Sequence, residues 1–361
     1  MYYIMIAIRQ IIDIVYGEFI MNTKTKAISK YEEFVSGSRF SCFMQSENWA
    51  KVKAKWKSEQ IILSDEFGSI EGTMQILIRK IPFLNTSLMY SPRGPVCDLH
   101  DKKVLKRLAD SARLLAEKYN AFLLKTDPMI EVSDKEAVEN LKSVGFEYNE
   151  NISEDHTVQS LKNYILRIEG KTEEEVFASF DSKWRYKIRL ASRKGVVCDC
   201  NSSDIEHFHI LMKETGERDG FNIRSKEYFS CLLDAFGDNA RLFMCYAPDG
   251  QAISGALAIR YGDRVSYVYG ASGNGHRNLM PNYLMQWNMI QWAISSGCSI
   301  YDFMGIPHYD DQKHPNYGVY QFKKGFNGKV VVYAGEFDMV FSRLKRKEVQ
   351  LMLRLSGYKR I

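Results

Sequence analysis

RLFMCYAPDGQAISGALAIRYGDRVSYVYG, residues 241–270, is the stretch whose reading decides the fold. Apolar runs at Arg241–Ala247, Gln251–Arg260 and Arg264–Gly270 are separated by the turn formers Pro248-Asp249-Gly250 and Gly262-Asp263, the pattern of a three-stranded antiparallel meander. Downstream, Tyr283, Trp287, Ile290 and Ile294 recur at helical spacing, and Gly297 closes that helix. Ser299–Phe303 then reads as a strand, and a further segment leads to Gly325-Phe326 and a strand at Lys329–Tyr333.

The same order precedes it. A short helix is expected around Ser46 to Lys55, a hairpin from Gln60–Ser64 and Ile70–Ile81, and a strand at Leu88 to Ser91. Asp101 caps a helix with Val104, Leu108, Ala112 and Leu115 on one face; Ala121–Thr126 reads as a strand, and a helix from Ser133 ends before Gly145-Phe146. The second half begins with a capping box at Thr172 and Glu175, a basic helix near Trp184 to Arg193 stopped by Gly195, a strand at Val196–Cys200, and helices near Asp204–Glu217 and Ser225–Phe236. The order therefore occurs twice at roughly 180-residue spacing, against a usual ~150 residues per domain. Two similar α/β (α+β) domains are implied; the order resembles the acyl-CoA N-acyltransferase (GNAT) architecture, and that resemblance implies in each a mixed sheet flanked by helices and open between its central strands. The expected boundaries are 21–162 plus 335–361 for the first domain and 163–334 for the second.

Of 361 residues, 45% are hydrophobic and 26% charged, which excludes disordered and collagen-like classes. A net charge of +5 tolerates anionic partners without defining a nucleic-acid-binding domain. Seven cysteines, at 42, 97, 198, 200, 231, 245 and 298, form no C-x-x-C pair, so no disulfide framework or metal site is expected and a reducing, cytoplasmic setting fits. Residues 1–20 are apolar but carry Arg9, Asp13 and Glu18, unlike a signal peptide or a membrane span. Gly17-Glu18 can be encoded as a ribosome-binding sequence, so this extension is expected to lie upstream of a translation start at Met21.

Five blocks, in order along nearly the whole chain, carry a resemblance: Gln45-Ser46-x-x-Trp49-x-x-x-Lys53, Tyr90-Ser-Pro-Arg-Gly-Pro95, Arg185-x-x-x-Arg189-x-Ala191-x-x-x-Gly195, Tyr301-Asp302-Phe303-x-Gly305 and Phe322-Lys323-x-Gly325-Phe326. The chain resembles the Fem family of peptidoglycan-bridge aminoacyltransferases. The resemblance implies transfer of an amino acid from aminoacyl-tRNA, as co-substrate, to the stem-peptide amine of lipid II or UDP-MurNAc-pentapeptide, with no bound cofactor or metal. Many members insert a long helical arm in the second domain; the distance from Arg189 to Tyr228 leaves no room for one.

By the same resemblance, Lys53 and Arg224 with Tyr228 hold the precursor's diphosphate, Lys323 lies near the transferred aminoacyl group, and Phe322 stacks on the terminal adenosine. Tyr267 and Tyr269 alternate on a strand and are expected to share a cleft-lining face, with Val268 turned into the core. Asp127, at a strand end before Pro128, is the first candidate to orient or deprotonate the amine, and Glu336 the second; the substrate or the adenosine 2′-hydroxyl are alternatives. Arg185, Arg189 and Arg193, spaced by four, form a basic stripe suited to tRNA. Arg343, Lys345, Arg346 and Lys347 interleave with Leu344, Leu351 and Leu355 in a basic amphipathic helix suited to the inner face of a membrane. No protein partner is implied. The rival readings are an N-acyltransferase using acyl-CoA or another activated donor, and a non-catalytic muropeptide- or RNA-binding protein. Against acyl-CoA stands the turn into the long helix, where Leu279, Met280 and Pro281 replace the closely approaching N–H groups that a pyrophosphate wants.

Overall fold

The computed structural model describes residues 28–355. The N-terminal extension and the start expected at Met21 lie outside these residues. The described residues divide into two compact units, one of residues 28–161 and 332–355 and the other of residues 162–331.

The first unit opens with α1 (Lys30–Gly37) and α2 (Glu47–Val52), followed by β1 (Lys57–Ser64), β2 (Ile70–Lys80), β3 (Ser87–Ser91) and the short β4 (Val96–Cys97). Then come α3 (Lys102–Lys118), β5 (Ala121–Thr126), α4 (Lys135–Ser143) and β6 (Glu147–Tyr148). Asp101 caps α3 as expected, through the N–H groups of Lys103 and Val104; Asp134, one residue past the expected Ser133, caps α4. The second unit holds β7 (Lys162–Arg167), α5 (Glu173–Ser179), α6 (Ser182–Arg193), β8 (Val197–Asp199), α7 (Ile205–Asp219) and α8 (Lys226–Phe236). Its meander is β9 (Ala240–Tyr246), β10 (Ala252–Tyr261) and β11 (Arg264–Ser272), followed by α9 (Pro281–Ser295), β12 (Ile300–Gly305), α10 (Tyr317–Lys324) and β13 (Lys329–Val332). The chain then returns to the first unit as β14 (Phe337–Val340) and α11 (Arg343–Leu355).

The internal repeat is visible in the sheet orders. The first sheet runs β1-β2-β3-β5-β14-β6 with β4 beside β2, and the second runs β8-β9-β10-β11-β12-β7-β13. Each is a meander joined through one parallel pair to a strand supplied from elsewhere in the chain. β14 occupies in the first sheet the place that β7 occupies in the second. Neither strand has a strong alternating pattern, which is why the sequence reading passed over both.

β14 carries the polar centre of the first unit. Lys125 of β5 pairs with Glu336 and, at 3.0 Å, with Asp338, all nearly fully buried. Burial alone would lower the lysine's pKa, but Asp338 and Glu336 outweigh it and hold the ammonium charged. Replacing Lys125 by Met would leave Glu336 buried without a counter-charge and Asp338 with Arg346 alone, so Lys125→Met is expected to cost about 3–5 kcal/mol of stability, read from the midpoint of urea unfolding.

Candidate functional site

In the second sheet the parallel strands β11 and β12 pair at only three positions, Arg264 with Ile300, Val265 with Tyr301 and Ser266 with Asp302, and then part. In the first sheet the equivalent strands β3 and β5 stay paired from Ser87 to Ser91. Asp302 secures the parting. Its carboxylate accepts from Arg264 Nη1 at 2.9 Å, from Asn163 Nδ2, and from the backbone N–H of Met304 at 2.7 Å, bending the chain so that Met304 takes φ 61°. Tyr301 and Phe303 flank it as fully buried core residues, so the Tyr-Asp-Phe-x-Gly block is first a device for leaving the sheet.

The carbonyls freed by that departure are met by Lys323. Its Nζ donates to Phe303 O at 2.6 Å, Gly305 O at 2.7 Å and Met304 O at 3.4 Å. Burial pushes its pKa down to about 7, with Asp302 opposing the fall. The rest of the Phe-Lys-x-Gly-Phe block aims it. Trp184 of α6 lies flat on Gly325, where an added Cβ would stand 2.3 Å from the indole, and donates through Nε1 to Phe322 O at 2.9 Å. Phe322 is half-buried, edge-on to Tyr283 and Phe326.

Tyr267 and Tyr269 do not share a face. Tyr267 pairs with Ala258 and Tyr269 with Leu257, so Val268 is an extra residue, a β-bulge that turns the next side chain over. Val268, expected in the core, is only half-buried. Tyr267 lies on the Lys323 side with its ring centre 6.0 Å from Nζ, and burial pushes its pKa up to about 12. Its hydroxyl rests against Gly270, where an added Cβ would fall 1.6 Å away. Tyr269 lies on the α8 side, edge-on to Phe229 and donating to Tyr228 Oη at 3.3 Å. The Arg224 guanidinium sits over the Tyr228 ring, 5.4 Å from its centre. Two clusters result: Lys323 with Tyr267, and Arg224 with Tyr228 and Tyr269.

α6 carries the expected basic stripe. Ile188 and Ala191 are buried, while Arg185, Arg189 and Arg193 line a groove of about 910 Å³ together with Phe177, Trp287 and Asn288. Arg189 stacks over Phe177, and Arg185 Nε is buried without a protein acceptor. The span from Arg189 to Tyr228 is filled by the end of α6, by β8 and α7, and by the start of α8, with no helical arm.

In the first unit, Lys53 closes α2 with its Nζ 4.5 Å from the centre of the Trp49 ring, which explains the Trp-x-x-x-Lys spacing. Asp127 is not a free base. Its Oδ1 accepts the Arg93 backbone N–H at 2.6 Å and its Oδ2 accepts the Tyr90 hydroxyl at 2.8 Å, while desolvation pushes its pKa up to about 6. Gln45 holds the same turn, donating to Pro92 O at 2.7 Å and accepting from Gln75 N, so the Gln-Ser and Tyr-Ser-Pro-Arg-Gly-Pro blocks are two sides of one buried knot. Glu336, the second base candidate, is likewise occupied, by Lys125 and the Val158 N–H. Sequence reasoning missed Tyr90 and Arg93 as partners of Asp127, since a hydroxyl and a backbone N–H leave no spacing signal.

Among the described residues, no group of three or more His, Cys, Asp or Glu side chains is placed to hold a metal ion, and all seven cysteines are free thiols.

Two mixed α/β units, one with a lysine set into the parted strands, define a tandem acyltransferase fold. A tandem GNAT protein from the clavulanic acid biosynthesis pathway shares that fold, with TM-score 0.50 and 9% identity over 86% of this chain and 93% of its own. Residues 26–248 and 246–354 match the FemAB family, and the chain belongs to that family. The crystal structure of FemX superposes with TM-score 0.83 at 27% identity, covering 91% of this chain and all of FemX. The lipid II:glycine glycyltransferase of Staphylococcus haemolyticus is 28% identical across 91% of this chain and 98% of its own length. That alignment runs over 413 positions, more than the 361 residues here, so the relative carries segments that this chain lacks.

Gly270→Ala would drive Tyr267 off its seat beside Lys323. We expect a loss of about 1–3 kcal/mol of stability and a changed near-ultraviolet circular dichroism, whereas Gly275→Ala, with open space around it, leaves both unchanged.

Proposed function

We propose that this protein transfers an aminoacyl group from aminoacyl-tRNA to the stem-peptide amine of a peptidoglycan precursor, lipid II or UDP-MurNAc-pentapeptide, building the interpeptide bridge. The observation that carries this reading is the Lys323 ammonium set among the carbonyls of parted strands in a chain of the FemAB family. The acceptor amine attacks the ester carbonyl, the C–O bond to the tRNA ribose breaks, and an amide forms. Negative charge develops first on the carbonyl oxygen and then on the departing ribose oxygen. Lys323 meets that charge by exchanging its longest contact, Met304 O at 3.4 Å, for the oxyanion.

Arg224, Tyr228 and Tyr269, on the opposite side of β11, hold the sugar-linked diphosphate; a guanidinium forks onto phosphate oxygens. Phe322 stacks on the terminal adenosine, and the groove along Arg185, Arg189 and Arg193 takes the RNA backbone. The amine's proton leaves to the substrate or to the adenosine 2′-hydroxyl, since both oxygens of Asp127 are already occupied.

An acyl-CoA donor fits the geometry less well. At the start of α9 the N–H groups of Leu279, Met280 and Tyr283 donate within their own turn, and Pro281 has none to offer a pyrophosphate. The lipid II:glycine glycyltransferase relative supports a lipid-linked acceptor and glycine as the first amino acid to test.

The test is transfer of radiolabel from pooled aminoacyl-tRNAs to either precursor. Lys323→Met is expected to lower the rate about 10²–10³-fold, the loss typical of one oxyanion donor. The pH profile separates its role from a structural one. The acceptor amine, with an ordinary pKa of ~10.4, gains free base as pH rises. The Lys323 ammonium loses its proton through about pH 7, so the parent rate should climb to about pH 7 and then level off. In Lys323→Met that plateau should disappear and the residual rate keep climbing to pH 8.5. Absence of label in either precursor, with acetyl-CoA supporting acylation of a free amine, would overturn the donor assignment.

A further inference from the structure

α11 has two faces, and only one is used within its own unit. Val349 is buried against Phe122 and Leu123, with Leu353 packed beside it, and Arg346 turns inward to Asp338 at 2.7 Å and Glu147 at 3.1 Å. Lys345 reaches Asn120. These contacts dock the helix on the first sheet and settle which side looks out.

The outward side is ordered. At roughly 100° per residue, Arg343, Lys347 and Arg354 fall within about 40° of one another, and Leu344, Leu351 and Leu355 fall within another 40° or so, centred about 80° further round. The leucines are 69%, 59% and 81% exposed, a continuous apolar row that folding leaves in water. Lys347 and Arg354 have no ion pair among the described residues, and Arg343 makes one loose contact with Glu147 at 3.4 Å. Glu348 borders the leucine row on its far side. A cation row parallel to an apolar row on an exposed helix is the arrangement that lets leucines enter the acyl boundary while cations meet lipid phosphates.

A second element joins it. Ile81 and Leu84, from the turn between β2 and β3, pack on the same Phe122–Leu123–Val349 cluster as α11. Between them Phe83 projects, 79% exposed, from a backbone at φ 64°, a conformation that disfavours a residue of its size. An aromatic ring kept in water at a strained position, on a turn packed against the same cluster as α11, points to apolar or interfacial surroundings for that ring.

We propose that the outer face of α11, together with Phe83, is a docking surface for an anionic bilayer. The leucine row and Phe83 insert, and Arg343, Lys347 and Arg354 pair with headgroup phosphates. No helix of the described residues is long and apolar enough to cross a membrane. The charge row selects a bilayer over a purely apolar protein partner, since a hydrophobic groove would desolvate three cations without compensation.

The test is cosedimentation of the full chain with vesicles of phosphatidylglycerol and phosphatidylcholine, against vesicles of phosphatidylcholine alone. We expect binding to the anionic vesicles only, weakened by salt. Leu351→Ser with Leu355→Ser should lower the partition coefficient at least tenfold, as should Lys347→Glu with Arg354→Glu, and Phe83→Ser should lower it several-fold. All these positions are exposed, so unfolding midpoints should stay at the parent value, and transfer to soluble UDP-MurNAc-pentapeptide, scored separately, should not change. Parent protein remaining in the supernatant with anionic vesicles would overturn the proposal, as would leucine variants that pellet like the parent. A concentration-dependent dimer that the leucine variants abolish, without vesicle binding, would assign the face to a second copy of the chain and overturn it equally.

Discussion

The second unit depends on an ammonium taking the place of a strand. Once β12 leaves β11 after three pairs, the carbonyls of Phe303, Met304 and Gly305 face a gap, and buried carbonyls without donors cost free energy comparable to lost hydrogen bonds. Lys323 supplies the missing donors from a neighbouring helix. The same group therefore both opens the sheet edge to a side chain and satisfies the carbonyls left there. Trp184 on Gly325 and the Asp302 clamp on Met304 both serve to keep that lysine aligned.

The bulge at Val268 has a comparable effect on where the tyrosines of β11 go. An uninterrupted strand would have put both tyrosines on one side of β11. One extra residue sends Tyr267 toward Lys323 and Tyr269 toward Tyr228 and Arg224, so a single strand separates the lysine cluster from the arginine cluster. The first unit, whose parallel strands stay zipped, has no lysine in the corresponding place; its strand end is closed by Asp127, Tyr90 and Arg93.

Much of this was legible in advance. Turn formers at Pro248-Asp249-Gly250 and Gly262-Asp263 delimited the meander, Asp101 marked its helix, and the ordered motif blocks pointed to the family whose membership the comparisons establish. What stayed hidden was non-local. A bulge is a property of register between two strands, and Val268 looks like any strand valine until Leu257 and Ala258 are set opposite its neighbours. The saturation of Asp127 and Glu336 likewise arises from backbone donors and a lysine far away in the chain. Spacing can nominate a carboxylate, but only the fold tells whether its oxygens are already taken.

The exchange of strands between distant parts of the chain bears on how the protein is made. β14 sits between β5 and β6, so the first unit lacks an interior strand until more than 330 residues have left the ribosome. Until then β5 has an open edge and Lys125 lacks both of its carboxylates. The second unit, contiguous from β7 to β13, has all its strands first. Synthesis order and folding order are thus reversed. The N-terminal unit waits as an incomplete sheet with an exposed edge, the kind of intermediate that invites chaperone binding, and it closes only when the C-terminal segment arrives.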